Sequence, residues 1–193
     1  MTTSLTRAQW HSWLPWLLVL CVISLLQLAG TYPHGRLNLP AADLHWVWTG
    51  LTCHLLHITF QHYLYNALGL VVIAALFVGV YTWQSCLLTY CLSALTISVG
   101  LIWFPAGLHN YAGLSGVLHG WFMMGCLLLL PQQPRLASVL FVLMLIKLVV
   151  ENVNGGLLSM PGFTVATRAH LYGVTGGSLS WLCVSLWRAR RRH

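Results

Sequence analysis

The chain has 193 residues, 58% of them hydrophobic and only 6% charged. A soluble domain carries about a quarter of its residues charged, so a water-facing surface is excluded and the outer face must be lipid. The net charge is +7, but Arg188, Arg190, Arg191 and Arg192 close the chain directly after an apolar run, which reads as a cytoplasmic anchor and excludes a nucleic-acid surface.

Hydropathy and turn signals predict an all-α membrane protein, a single six-span domain over 1–193 with no repeat and no soluble part. The first span, about 13–30, follows Arg7; it is too long for a cleaved signal peptide and is expected to stay as a helix. A polar stretch, 31–50, holds Pro33, His34, Arg36, Pro40 and Asp43, with Trp46 and Trp48 suited to the headgroup interface. The second span is about 52–78 and the third about 82–104. A loop, 105–112, contains Pro105 and Gly107. The fourth span, about 114–130, is stopped by Pro131 and Pro134. The fifth is about 136–152, a glycine-rich loop covers 153–168, and the sixth is about 169–187.

Six spans put both termini on one side. Arg7, Arg135 and the four terminal arginines lie there, against Arg36 and Arg168 on the other, so both termini are expected in the cytoplasm. Spans two, four and six then run inward from the outer face. Cys21, Cys53, Cys86, Cys91, Cys126 and Cys183 are scattered without CxxC spacing and read as free thiols.

Polar groups inside a membrane cost several kcal/mol unless satisfied, which makes them functional candidates. Three clusters qualify: His57 to Asn66 in span two, Gly113 to Gly120 opening span four, and Ala169 to Gly177 opening span six. All three fall at one outer depth. A serine hydroxyl needs a base to become a nucleophile, and histidine titrates in the right range; Ser115 and His170, each near its helix start, can supply the pair. An oxyanion needs donors. His62 and Asn66, spaced i, i+4, share a helix face, and the Ser115 N–H at a helix start is a third donor. Gly116 and Gly120, and Gly173 and Gly177, form GxxxG pairs that allow two helices to approach closely.

These residues resemble the rhomboid family. The GxSG around Ser115, the HxxxN of His62–Asn66 and the AHxxGxxxG from Ala169 to Gly177 are its signatures, in its order, over roughly residues 13–187. The resemblance implies a six-helix bundle and a Ser115–His170 dyad. It implies oxyanion donors at His62, Asn66 and the Ser115 N–H, with Gly113, Gly116, His119 and Gly173 in support. It implies cleavage of other proteins' membrane anchors with no cofactor and no metal. Asp43 and Glu151 match no catalytic position of that family, so a dyad without an acid is expected. The GLSGVLHG run from Gly113 to Gly120 further resembles the rhombosortase subgroup, which implies a bacterial inner-membrane enzyme, its site toward the periplasm, cutting glycine-rich C-terminal tails of exported proteins.

Two positions depart from the pattern. His119 stands where many rhomboids carry Tyr or Phe four residues after the serine, and is expected to stack in the same way. Thr49 follows Trp48 where an arginine is common. His54 and His57 have metal-compatible i, i+3 spacing but no nearby third ligand, and read as structural. Lys147 and Glu151, i, i+4 near the outer end of span five, read as a neutralising pair, and His109 as exposed. Two other classes fit less of the pattern: an inactive rhomboid-like protein that binds membrane clients, and a bis-histidine haem or metal protein suggested by the 10 histidines.

Overall fold

Each of the six apolar runs becomes a helix. The computed structural model describes residues 7–39, 45–104, 107–153, 157–160 and 163–191, with side chains of 7–10, 157–160 and 163–164 excepted. The expectations placed on Pro40, Asp43, Pro105 and Arg192, and on 154–156 and 161–162 of the glycine-rich loop, lie outside the described residues. The long helices are α1 (Arg7–Leu28), α4 (Phe60–Phe77), α5 (Trp83–Trp103), α6 (Ser115–Leu129), α7 (Pro134–Asn152) and α8 (Thr167–Arg190). Two short ones, α2 (Tyr32–Gly35) and α3 (His45–Thr52), lie between α1 and α4.

Among the described residues, three helices are long and apolar enough to cross a membrane by themselves: α1 over His11–Leu28, α4 and α5. The other three differ for separate reasons. Helix α6 has 15 residues. Helix α7 carries Arg135, Lys147 and Glu151, and α8 is diluted by glycines, hydroxyls and His170. Their surfaces still suit lipid: Val139, Val142, Ile146, Val149 and Val150 of α7 are all exposed, a patch that water would not tolerate.

The structure corrects three boundaries. Span two begins at Phe60 and not near residue 52, because the last residue of α3, a single 3-10 turn at Cys53–Leu55 and the segment up to Thr59 occupy the start of that run, while most of α3 falls in the 31–50 stretch expected as a loop. Thr59 then breaks the chain in extended conformation, and its Oγ1 accepts the His62 N–H at 3.1 Å as the α4 N-cap. The expected 31–50 and 105–112 loops meet in a two-stranded antiparallel pair, β1 (Leu37–Asn38) with β2 (Asn110–Tyr111), in register Leu37 to Tyr111. The glycine-rich loop contains a hairpin, β3 (Leu157–Met160) with β4 (Phe163–Ala166).

The core lies between α4, α5, α6 and α8, where Phe77, Ile97, Leu101, Val117, Trp121 and Met124 are fully buried. Helix α5 contributes a face of hydroxyls that bond to neighbouring carbonyls instead of leaving polar atoms bare. Ser93 Oγ donates to Gly173 O (3.3 Å), Thr96 Oγ1 to Tyr172 O (2.8 Å) and Ser98 Oγ to Gly50 O (2.6 Å). The first two bonds seat α8 against α5, and the third ties α3 to α5.

Candidate active site

Glycine decides where α6 starts. Gly113 has φ +138°, a region that disfavours side chains, and a Cβ there would lie 2.6 Å from His62 Cε1. Its N–H donates to Cys53 O (3.2 Å), and Tyr111 Oη–H donates to its carbonyl (3.1 Å). The turn so held delivers Ser115 as the first residue of α6 with the His62 ring beside the turn. The Ser115 N–H is thus among the helix-start donors that have no intrahelical acceptor.

The same economy sets α6 against α8. A Cβ on Gly116 would meet Ala169 O at 2.9 Å, and one on Gly120 would meet Gly173 O at 2.8 Å. A Cβ on Gly173 would overlap Gly116 O, and one on Gly177 would overlap Gly120 O. The backbones are in direct contact, as the two GxxxG pairs predict. His170, in the first turn of α8 and 3% exposed, reaches Ser115 Oγ with its Nε2 at 3.1 Å.

Helix α4 supplies the third side. His62 and Asn66 are buried one turn apart, and Asn66 Nδ2 donates to His62 O at 3.0 Å. With Ser115 and His170 they line a cavity of about 500 Å³. The cavity is bounded by α4 and α7: Tyr65 and Val72 lie on one wall, Leu143 and Met144 on the other. Helix α7 packs on α6 and α8, and the groove lies on its α4 side. The four polar side chains marked in the sequence therefore meet at one wet-sized hollow with an apolar opening.

His119 does stack on His170, with ring centroids 4.0 Å apart and planes 15° from parallel. Its Nδ1 lies 2.7 Å from Ser115 O and its Nε2 3.0 Å from Lys147 Nζ. Lys147 also bonds Glu151 Oε1, so the neutralising pair is present. The expectation of a histidine without an acid needs correction: Glu151 Oε2 lies 2.8 Å from His170 Nδ1, because the end of α7 and the start of α8 stand side by side. Thr167 Oγ1 secures that contact by donating to Glu151 O (3.2 Å) and Asn152 Oδ1 (3.3 Å).

Potential metal-ligand atoms of His119, Glu151 and His170 lie within 4.8 Å of one another. The Lys147 ammonium bonds two of the three groups, which sets a cation among them already. His54 and His57 take the structural places expected of them. His54 Nε2 lies 3.1 Å from Gly50 O and 3.2 Å from Ser98 Oγ, tying α3 to α5. His57 packs edge-on against His62 and Tyr63, with ring centroids 5.2 and 5.7 Å away. His109 is exposed.

The family model of the Rhomboid domain matches residues 45–186, which takes in α3 to α7, most of α8 and every side chain of the hollow. No curated protein matches the chain.

Proposed function

Since the chain belongs to the rhomboid family, whose members are intramembrane serine proteases acting on membrane-protein substrates, we propose that it is itself an intramembrane endopeptidase with Ser115 as nucleophile and His170 as general base. The observation that carries this reading is the 3.1 Å contact between Ser115 Oγ and His170 Nε2 at the floor of the α4–α7 hollow.

The chemistry follows from the positions. Ser115 Oγ–H donates to His170 Nε2; as Oγ attacks the scissile carbonyl, that proton passes to Nε2 and a C–O bond forms. The carbonyl oxygen becomes an oxyanion beside His62, Asn66 and the Ser115 N–H, donors that gain strength where water is scarce. Collapse breaks the C–N bond, and the Nε2 proton leaves with the amine. Water then repeats the sequence on the acyl-enzyme, with His170 taking its proton and returning one to Ser115. The stacked His119 ring supports the imidazole face throughout.

In this reading α1 and α4 to α8 all cross the bilayer. The basic residues Arg135, Arg188, Arg190 and Arg191 lie at the opposite ends of their helices from the hollow, which supports termini in the cytoplasm and a site opening to the periplasmic side of a bacterial inner membrane. The apolar α4–α7 walls suit a helical anchor that unwinds to present its peptide bond to Ser115. The GLSGVLHG run favours C-terminal glycine-rich tails of exported proteins as substrates.

The test needs no known substrate at first. A fluorophosphonate should label the purified full-length protein in detergent, and should fail to label Ser115→Ala and His170→Ala of equal thermal stability. Equal labelling of wild type and Ser115→Ala removes the reading. Comparison of membrane and secreted proteins from cells with Ser115 intact or replaced by Ala then finds the substrates, as proteins whose C-terminal tails persist in the variant.

A further inference from the structure

We propose that Glu151 is a positioning residue for the proposed reaction, a carboxylate on α7 that holds His170 in the tautomer the reaction needs and is itself held by Lys147 and His119. The inference rests on the Ser115–His170 reading and extends it from two residues to a closed circuit.

The argument is one of donors and acceptors. A carboxylate only accepts, so the 2.8 Å contact between Glu151 Oε2 and His170 Nδ1 places a proton on Nδ1. A neutral His170 is then bare at Nε2, which accepts from Ser115 Oγ–H across 3.1 Å. On the other side, a carbonyl also only accepts, so Ser115 O, 2.7 Å from His119 Nδ1, places a proton there and leaves His119 Nε2 bare. Lys147 Nζ donates to that nitrogen at 3.0 Å and to Glu151 Oε1. Every contact is satisfied by one assignment of protons. The circuit runs from the Ser115 hydroxyl through His170, Glu151, Lys147 and His119 back to the Ser115 carbonyl.

This arrangement does more than neutralise Lys147. A single carboxylate oxygen would suffice for the ammonium; the second is spent on His170 Nδ1. When His170 takes the serine proton it becomes a cation within contact of Glu151, which stabilises the charge that appears in the transition state. The groups facing His170 are Ser115 and His119 from α6, Lys147 and Glu151 from α7, and His62 from α4. Glu151 is the one anion among them. Thr167 Oγ1 donates to the Glu151 carbonyl and to Asn152 Oδ1, so the carboxylate is aimed by the helix end as well as by its partners.

The experiment measures fluorophosphonate labelling of full-length protein in detergent as a function of probe concentration, which separates the maximal inactivation rate from probe affinity. Glu151→Gln offers the same shape without the charge and can turn its amide N–H toward Nδ1, favouring the unproductive tautomer. It should lower the maximal rate about 10²-fold or more, with affinity within twofold and Tm unchanged. Glu151→Asp keeps the charge and should recover at least tenfold over Glu151→Ala. Lys147→Met should cost less than Glu151→Gln. A maximal rate within threefold of wild type in Glu151→Gln overturns the inference. So does an Asp variant no better than Ala, which also covers the case in which Gln misfolds. Wild type that fails to label would instead defeat the protease reading beneath it.

Discussion

Gly173→Ala tests whether the α6–α8 backbone contact sets the distance between Ser115 and His170. The new methyl group would overlap the Gly116 carbonyl oxygen. A contact of that kind relaxes to about 3.5 Å, so the helices must part by on the order of 1 Å. Ser115 and His170 sit one and three residues before Gly116 and Gly173 on the same two helices, and share the displacement. A misplacement of that size costs about 10²-fold in rate. Stability moves less. Overpacking costs about 1–3 kcal/mol, whereas replacing Gly by Ala inside a helix returns about 1 kcal/mol of propensity. The expected result is a fluorophosphonate labelling rate lower by about 10²-fold with Tm lowered by only a few degrees. Gly177→Ala makes the same collision, with Gly120 O, one turn further from His170; it should lose less rate for a similar Tm. Labelling of Gly173→Ala within threefold of wild type, or a larger loss in Gly177→Ala, would refute the geometric reasoning.

Other outcomes follow from single contacts. Asn66→Ala and His62→Ala should each slow labelling or cleavage by about 10²–10³, read as a fall in maximal rate, since each removes one of the three proposed oxyanion donors that line the hollow. Thr59→Ala removes the α4 N-cap and should cost about 1 kcal/mol, a Tm lower by about 2–4 °C in a thermal melt. None of the six cysteines is paired, so dithiothreitol should leave Tm unchanged to within a degree; a clear fall would reveal a disulfide.

The residues legible in the sequence were those whose meaning is local. HxxxN shows its shared face by helical spacing alone, and each GxxxG announces a backbone contact. Ser115 and His170 could be brought together because each stands just inside a helix that starts at the same depth. The parts that escaped depend on distant segments. The β1–β2 pair joins residues more than seventy positions apart, and nothing in Leu37–Asn38 points to Asn110–Tyr111. Helix α3 falls mostly in the stretch that reads as a polar loop, where Trp46 and Trp48 suggest an interface and not a helix, and the 3-10 turn at Cys53–Leu55 merges with span two because both are apolar; the break is marked by Thr59, an N-cap residue within that run. The glycine-rich composition predicts an open loop where the β3–β4 hairpin stands, because strands of four residues are too short to show an alternating pattern.

The place of Glu151 along the chain also bears on its partner. It lies one residue from the end of α7, and His170 lies in the first turn of α8. Two antiparallel helices joined in sequence have the end of the first and the start of the second at one level, so a separation of nineteen positions along the chain carries no separation in depth. The i, i+4 spacing explained Lys147 and so appeared to exhaust the carboxylate. Energetics point the other way. A lone charge within a membrane helix costs about 2.5–3.5 kcal/mol at the centre, and the least costly way to remove one from this depth is to have neither Lys147 nor Glu151. The pair stands at the hollow, with Glu151 mostly buried and Lys147 half exposed, where each partner makes a second bond to a histidine. A neutral pair lets a carboxylate stand next to His170 without a net charge in the resting protein, while its field remains to meet the proton that His170 would receive in the proposed reaction.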